Sequence, residues 1–308
     1  MNDAAAGAEA RTLRAAAAAL PNRICFLGFG LIGGSVALAL RDAGYRGRIS
    51  AWTPGGAGPV EGLRRGIIDA VAESAAAGLD GAGLVVLAGP PLAIVATLED
   101  LAEGLRARIR DGATITDVAS TKARIVTAAD SANLAFVGGH PMAGRESTGV
   151  ESATADLFVR RPWIVVPAAH ARPPDVANVE ALATATGAKP THLTADEHDA
   201  AVAGISHLPL VLSAALVEAV VGAGSAPWQA ARELAAGGWR DMTRIAKGDP
   251  EMGAGILATN AQPVADRLRA TRDAIDAWLE QLEAPDPVDA ERLRRRLEAA
   301  RAALVEGE

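Results

Sequence analysis

Four short stretches of this 308-residue chain gather the residue types that do chemistry. Gly28-Phe29-Gly30-Leu31-Ile32-Gly33 has the spacing of a phosphate loop. Its first glycine permits a tight turn, its second lets backbone approach a pyrophosphate, and its third lets a helix pack closely on a strand. Unpaired N–H groups at the start of the following helix, with their partial positive charge, suit phosphate oxygens. Two further stretches at strand ends, Thr116 to Lys122 and the glycine-flanked Gly138 to Glu146, gather acid, hydroxyl, imidazole and guanidinium groups. Ligands of open α/β sheets bind beyond the carboxyl ends of the strands, which is where both fall. The fourth stretch, Gly237 to Arg244, lies in the second half of the chain.

The elements that must position these groups follow from periodicity. Ile24–Leu27, Ile49–Trp52, Leu84–Ala88, Thr114–Val118, Leu134–Val137, Trp163–Val166 and Lys189–Leu193 are short apolar runs of strand length. Leu31–Ala43, Leu92–Ile109 and Lys122–Ser131 between them have helix length. This rhythm predicts βαβ units and a mostly parallel sheet covered on both faces. After about Thr194 only helices are expected: Asp196–Val221, interrupted by Pro209, then Ala226–Leu234, Glu251–Asn260 and Pro263–Glu283. A last helix should start with Asp286 as N-cap and Pro287 at the first position, with Leu293, Leu297, Ala300 and Leu304 on one face. The expected fold is an α/β, Rossmann-like domain over residues 22–194 and an all-α helical domain over 195–308, with 1–21 an Ala-rich tail. Helices with several apolar faces and little sheet to cover complete their core against a second copy, so a homodimer through the helical domain is expected.

Half of the residues are hydrophobic and 22% are charged, which excludes a disordered chain. A net charge of −7 argues against nucleic acid and anionic membranes as partners, since both need a basic surface. The uncharged runs Ile24–Leu40 and Gly83–Leu98 are glycine- or proline-broken and short of the ~20 apolar residues a bilayer demands. The single cysteine, Cys25, forms no intrachain disulfide and fits a reducing cytoplasm. No metal site is expected.

The glycine loop, in its strand–turn–helix context, calls for a dinucleotide. An acidic residue about 20 positions on would hold the adenosine ribose. Thr53 stands there instead, which removes the repulsion against a 2′-phosphate, while Arg46 and Arg48 lie just before it. NAD and NADP both stay open. His207 sits near Pro209, which lacks a backbone donor and frees a carbonyl one turn earlier. A kink would bring Ser206 and His207 toward the cleft; otherwise His207 is a core histidine. His170, His192 and His198 read as surface or domain-edge residues, and Lys122 either approaches the cofactor or faces solvent.

With these stretches in view, the chain resembles the prephenate and arogenate dehydrogenases of tyrosine biosynthesis. The matching segments are Gly28–Ser35, Asp117–Lys122, Gly138–Glu151, Ser206-His207-Leu208-Pro209 and Gly237–Met252. The resemblance implies oxidative decarboxylation of a cyclohexadienyl ring with NAD(P). It further implies that His140 accepts the ring hydroxyl proton, that Ser120 contacts that hydroxyl and orients His140, and that Arg244 binds the ring carboxylate. Glu146 and Asp241 match positions of a charged gate near Arg244; an ion pair of Arg244 with either is the structural alternative. Two departures bear on the substrate side chain. Leu210 stands where many relatives carry a second histidine, and Arg145, which could pair with a side-chain carboxylate, stands where many carry a small neutral residue. Gly253-Ala254-Gly255 likewise replaces a bulkier, more polar stretch. Prephenate and arogenate therefore both remain open. A β-hydroxyacid dehydrogenase or imine reductase on the same plan would use a lysine from the helical domain, and His140 with Arg244 speaks against it. A nucleotide-sensing protein without turnover is the remaining reading.

Overall fold

The computed structural model describes residues 3–145, 147–222, 226–283 and 288–305. Two compact units divide the chain, Met1–Ala261 and Gln262–Glu308.

The first unit is built on one eight-stranded sheet. Its strands are β1 Arg23–Leu27, β2 Arg48–Trp52, β3 Ala70–Val71, β4 Leu84–Leu87, β5 Thr114–Asp117, β6 Phe136–Pro141, β7 Pro162–Pro167 and β8 Lys189–His192. They lie in the order β3-β2-β1-β4-β5-β6-β7-β8. Every pairing is parallel except that of β6 with β7. Successive side chains of a strand point to opposite faces. Ile24, Phe26, Leu84 and Val86 accordingly enter one core, and Cys25, Leu27, Val85 and Leu87 the other. Burial on both faces is why β1 and β4 read as unbroken apolar runs.

Helices α1 (Asp3–Ala19), α2 (Leu31–Asp42), α3 (Ala57–Arg64), α4 (Ala75–Leu79), α5 (Pro91–Glu103), α6 (Ala123–Ser131) and α7 (Pro173–Ala185) surround the sheet. α2 and α7 build the first core; α4, α5 and α6 build the second. The Ala-rich N-terminal stretch is itself α1, which packs on α7 and buries Ala17 and Leu20.

The chain then turns helical: α8 (Ala195–Val202), α9 (Leu208–Val217), α10 (Ala226–Leu234), α11 (Gly237–Thr243) and α12 (Pro250–Thr259). A capping box opens α8, with the Thr194 hydroxyl accepting from the Glu197 backbone N–H and the Glu197 carboxylate accepting in return. Between α8 and α9, Ala203–His207 forms a widened π turn. Pro209 explains it: without an N–H the proline frees the carbonyl one turn back, and its ring forces the turn open. Ala195–Gly222 is, by length and composition, apolar enough to cross a membrane. It also carries the buried polar side chains His198, Asp199 and His207, as the core helix of a folded domain can.

α13 (Ala261–Leu282) leads into the second unit, which holds α14 (Ala290–Val305). There the Arg296 guanidinium lies 4.0 Å from the Trp278 ring centre and donates to the Ala274 carbonyl (2.8 Å). Asp286 and Pro287 lie outside the described residues; at the start of α14, the Asp289 carboxylate accepts from the Arg292 backbone (3.0 Å).

Candidate active site

A cavity of about 890 Å3 opens beyond the carboxyl ends of β1, β4, β5 and β6. Gly28, Phe29, Gly30, Leu31, Ile32 and Thr53 form one part of its wall. Gly28 has φ +97°, and a Cβ there would sit 2.5 Å from the Ala88 carbonyl carbon. Gly33 is set back from the wall, where a Cβ would lie 3.3 Å from that of Ala88. Gly30, by contrast, has nothing within 4 Å of its Cβ position. Tight turn, open approach and close helix packing thus fall on the three glycines in that order. No side chain caps the start of α2, so its N–H groups are available to phosphate oxygens. The donor set fits a dinucleotide.

His140 comes from β6, and this placement differs from expectation. The apolar run ends at Val137, but β6 continues through Gly138, Gly139 and His140 because β7 pairs antiparallel with it, His140 opposite Ile164. The imidazole is therefore held on a strand rather than a loop. It is 9% exposed and lines the cavity. Its Nδ1 is 2.8 Å from His198 Nε2, and His198 Nδ1 is 2.7 Å from Asp199 Oδ1. Asp199 also accepts from the backbone N–H groups of Lys122 (2.7 Å) and Ala123 (2.8 Å), capping α6. Burial, with His198, Lys122 and His207 adding to it, holds His140 well below the usual histidine range. The ring is neutral at pH 7 and able to take a proton.

Beneath the imidazole lies a buried ion pair. Lys122 and Asp117 are both wholly inaccessible and hydrogen bonded to each other. Asp117 also accepts from the backbone N–H of Gly139 (2.9 Å) and of Ala119 (3.0 Å), fastening β5 to the residue before His140. Burial pushes the Asp117 carboxyl up and the Lys122 ammonium down, each resisted by the other's charge. Lys122 thus neither lines the cavity nor faces solvent. His198, read as a surface or domain-edge residue, is 1% exposed and bonded to His140, a second correction.

Ser120 is half-buried in the wall of the cavity that His140 also lines. It does not cap α6, because Asp199 does. His207 lines the cavity and is also a core histidine: Asn260 Nδ2 donates to its Nδ1 (3.0 Å) and to the Asp199 carbonyl (2.9 Å). His207 Nε2 is buried without a hydrogen-bond partner among the described residues. Desolvation lowers this ring to about 4, with Asp199 opposing.

Arg145 lies on the wall and is exposed, 3.4 Å from the Thr154 hydroxyl. Glu146 lies outside the described residues. Asp241 in α11 and Arg244 just after it are exposed and do not line the cavity, although the next residue, Ile245, does. Leu210, Met252 and Gly253 complete the wall from the helical part. The reading of the residues gave no role to His198, Asp199, Asn260 or Asp117; the adjacent His198-Asp199 pair and the Asp117–Lys122 stretch were the available signals.

The nucleotide-binding domain of prephenate dehydrogenase, as a family model, matches residues 36–192, and its dimerization domain matches residues 194–299. The chain belongs to the prephenate dehydrogenase family. The glycine loop precedes the first matched residue and stands on its own geometry. Prephenate dehydrogenase of Bacillus subtilis is 33% identical over 267 residues, 86% of this chain and 69% of its own length. Arogenate dehydrogenase of Synechocystis superposes with a TM-score of 0.72 at 30% identity, covering 92% of this chain and 99% of its own. Prephenate dehydrogenase of A. aeolicus, solved with hydroxyphenyl propionate and NAD+, gives 0.80 at 26% identity, covering 92% and 98%. The chain is a dehydrogenase of this family, with a nucleotide-binding domain followed by a dimerisation domain.

Proposed function

We propose that this dehydrogenase oxidatively decarboxylates prephenate to 4-hydroxyphenylpyruvate, or arogenate to tyrosine, in cytoplasmic tyrosine biosynthesis. The Gly28–Gly33 loop and Thr53 would hold NAD or NADP, whose chemistry would be to take up hydride from the ring carbon that bears the hydroxyl. His140 takes the hydroxyl proton. Ser120 holds that oxygen against His140. The electron pair of the breaking ring-to-carboxylate bond stays in the ring, which becomes aromatic as CO2 leaves. Arg244, one residue from the wall, reaches the ring carboxylate with a two-pronged guanidinium contact. Arg145 and His207 meet the substrate's side chain or hydroxyl end, and Glu146 and Asp241 act with Arg244 as a charged gate. The helical domain, residues 195–308, supplies Arg244, His207 and Asp241 and joins two copies into a homodimer.

The observation that supports this most strongly is a neutral imidazole, anchored through one nitrogen, in the wall of a cavity shared with a dinucleotide loop. Purified protein with prephenate or arogenate, each with NAD+ or NADP+, should generate reduced nicotinamide absorbance in at least one of the four combinations. His140→Ala should lower kcat by about 10²–10⁴, about 3–5 kcal/mol of barrier. Silence in all four combinations, or a folded His140→Ala protein of ordinary kcat, overturns the reading.

A further inference from the structure

We propose that His198 is a positioning residue that fixes the tautomer of His140, with Asp199 as its anchor. The inference rests on the reading of His140 as the proton acceptor.

The argument is one of donors and acceptors along a line. Asp199 Oδ1 already accepts from the Lys122 backbone N–H, and Oδ2 from Ala123. A carboxylate in that role only accepts, so at 2.7 Å the His198 Nδ1 must carry the proton. A neutral His198 then has its lone pair on Nε2. Among the described residues its partner, at 2.8 Å, is His140 Nδ1, which must carry a proton in turn. His140 is left with its lone pair on Nε2, the nitrogen with no bond to a described residue. An imidazole has one basic nitrogen when neutral, and this chain decides which. In the other tautomer Nε2 would hold a proton and could accept none.

His198 is 1% exposed, and its ring meets that of His140 edge to face with centres 5.0 Å apart. The charged and titratable groups around the two rings are Lys122 from the β5–α6 turn and Asp199 and His207 from the long helix. Lys122 is itself matched by Asp117. When His140 takes the substrate's proton, Nδ1–H still donates to His198, and Asp199 offsets the new positive charge through it. No new bond is required at that moment, and neither ring turns.

The test separates placement from chemistry. Nitrogen-15 NMR of the wild-type protein, with His140 assigned by its absence in His140→Gln, should show a protonated Nδ1 and a bare Nε2 at pH 7. Gln at position 198 can place its side-chain carbonyl near His198 Nε2 and accept from His140; Ala cannot. His198→Ala should lower kcat about 10- to 100-fold while substrate KM and cofactor affinity move less than about twofold, and His198→Gln should recover most of that loss. Equal kcat in the Ala and Gln variants, or a proton on His140 Nε2 in the wild type, overturns the proposal. Should His198→Ala not fold, the wild-type spectrum and His198→Gln decide alone. Because the spectrum needs no substrate, it also distinguishes this failure from that of the proposed reaction, which shows as absent turnover in the wild type.

Discussion

At the scale of single residues, the groups under His140 are held by charge as well as by packing. Lys122→Met leaves the Asp117 carboxylate buried without its cation, which typically costs about 3–5 kcal/mol and should appear as a lower urea midpoint. Acid should weaken the fold for a different reason. His207 ionises near 4 when folded against 6.5 for the free side chain, so the unfolded chain binds the proton first as pH falls. Its contribution is whole above about 6.5 and drains away down to about 4, some 3 kcal/mol by size of shift. Denaturant titrations between these values should show that loss, and His207→Gln should flatten it. Such roles were only partly legible in the sequence. His140 and the glycine loop sit among glycines at strand ends, and Ser120 follows a strand within a short polar run, all local patterns. His198 sits in the polar run Asp196-Glu197-His198-Asp199, which reads as a solvated first turn; its partner is 58 residues earlier in the chain. Lys122 likewise pairs within a fold-closed pocket that spacing does not reveal.

At the scale of elements, the β1–α2 turn separates two functions of glycine. Gly28→Ala puts a side chain at φ +97° and into the Ala88 backbone, so the melting temperature should fall. Gly30→Ala meets only open space; its melting temperature should stay within about 1–2 °C, while calorimetry should find NAD(P) binding weaker by about tenfold or more. Equal damage from both substitutions would count against phosphate approaching at Gly30. Most strands were legible because buried parallel strands are continuous apolar runs. β3 is two residues long and leaves no such run. β6 was cut short because glycines usually end a strand; its continuation depends on β7, a partner 20 or so residues on.

At the scale of the whole molecule, the helical part exposes Ile205, Leu234 and Met242 at 71%, 81% and 58%. A homodimer that covers this surface should sediment at twice the 31.4 kDa chain mass, and Ile205→Glu should shift it toward that single mass. A monomeric wild type would refute the assembly. The cavity wall, finally, draws on both parts of the chain: His140 comes from β6 and Ser120 from the turn between β5 and α6, whereas Leu210, Met252 and Gly253 come from the helices. A lineage, or a protein engineer, can exchange these three helical positions to reshape the pocket without touching the His140–His198–Asp199 chain.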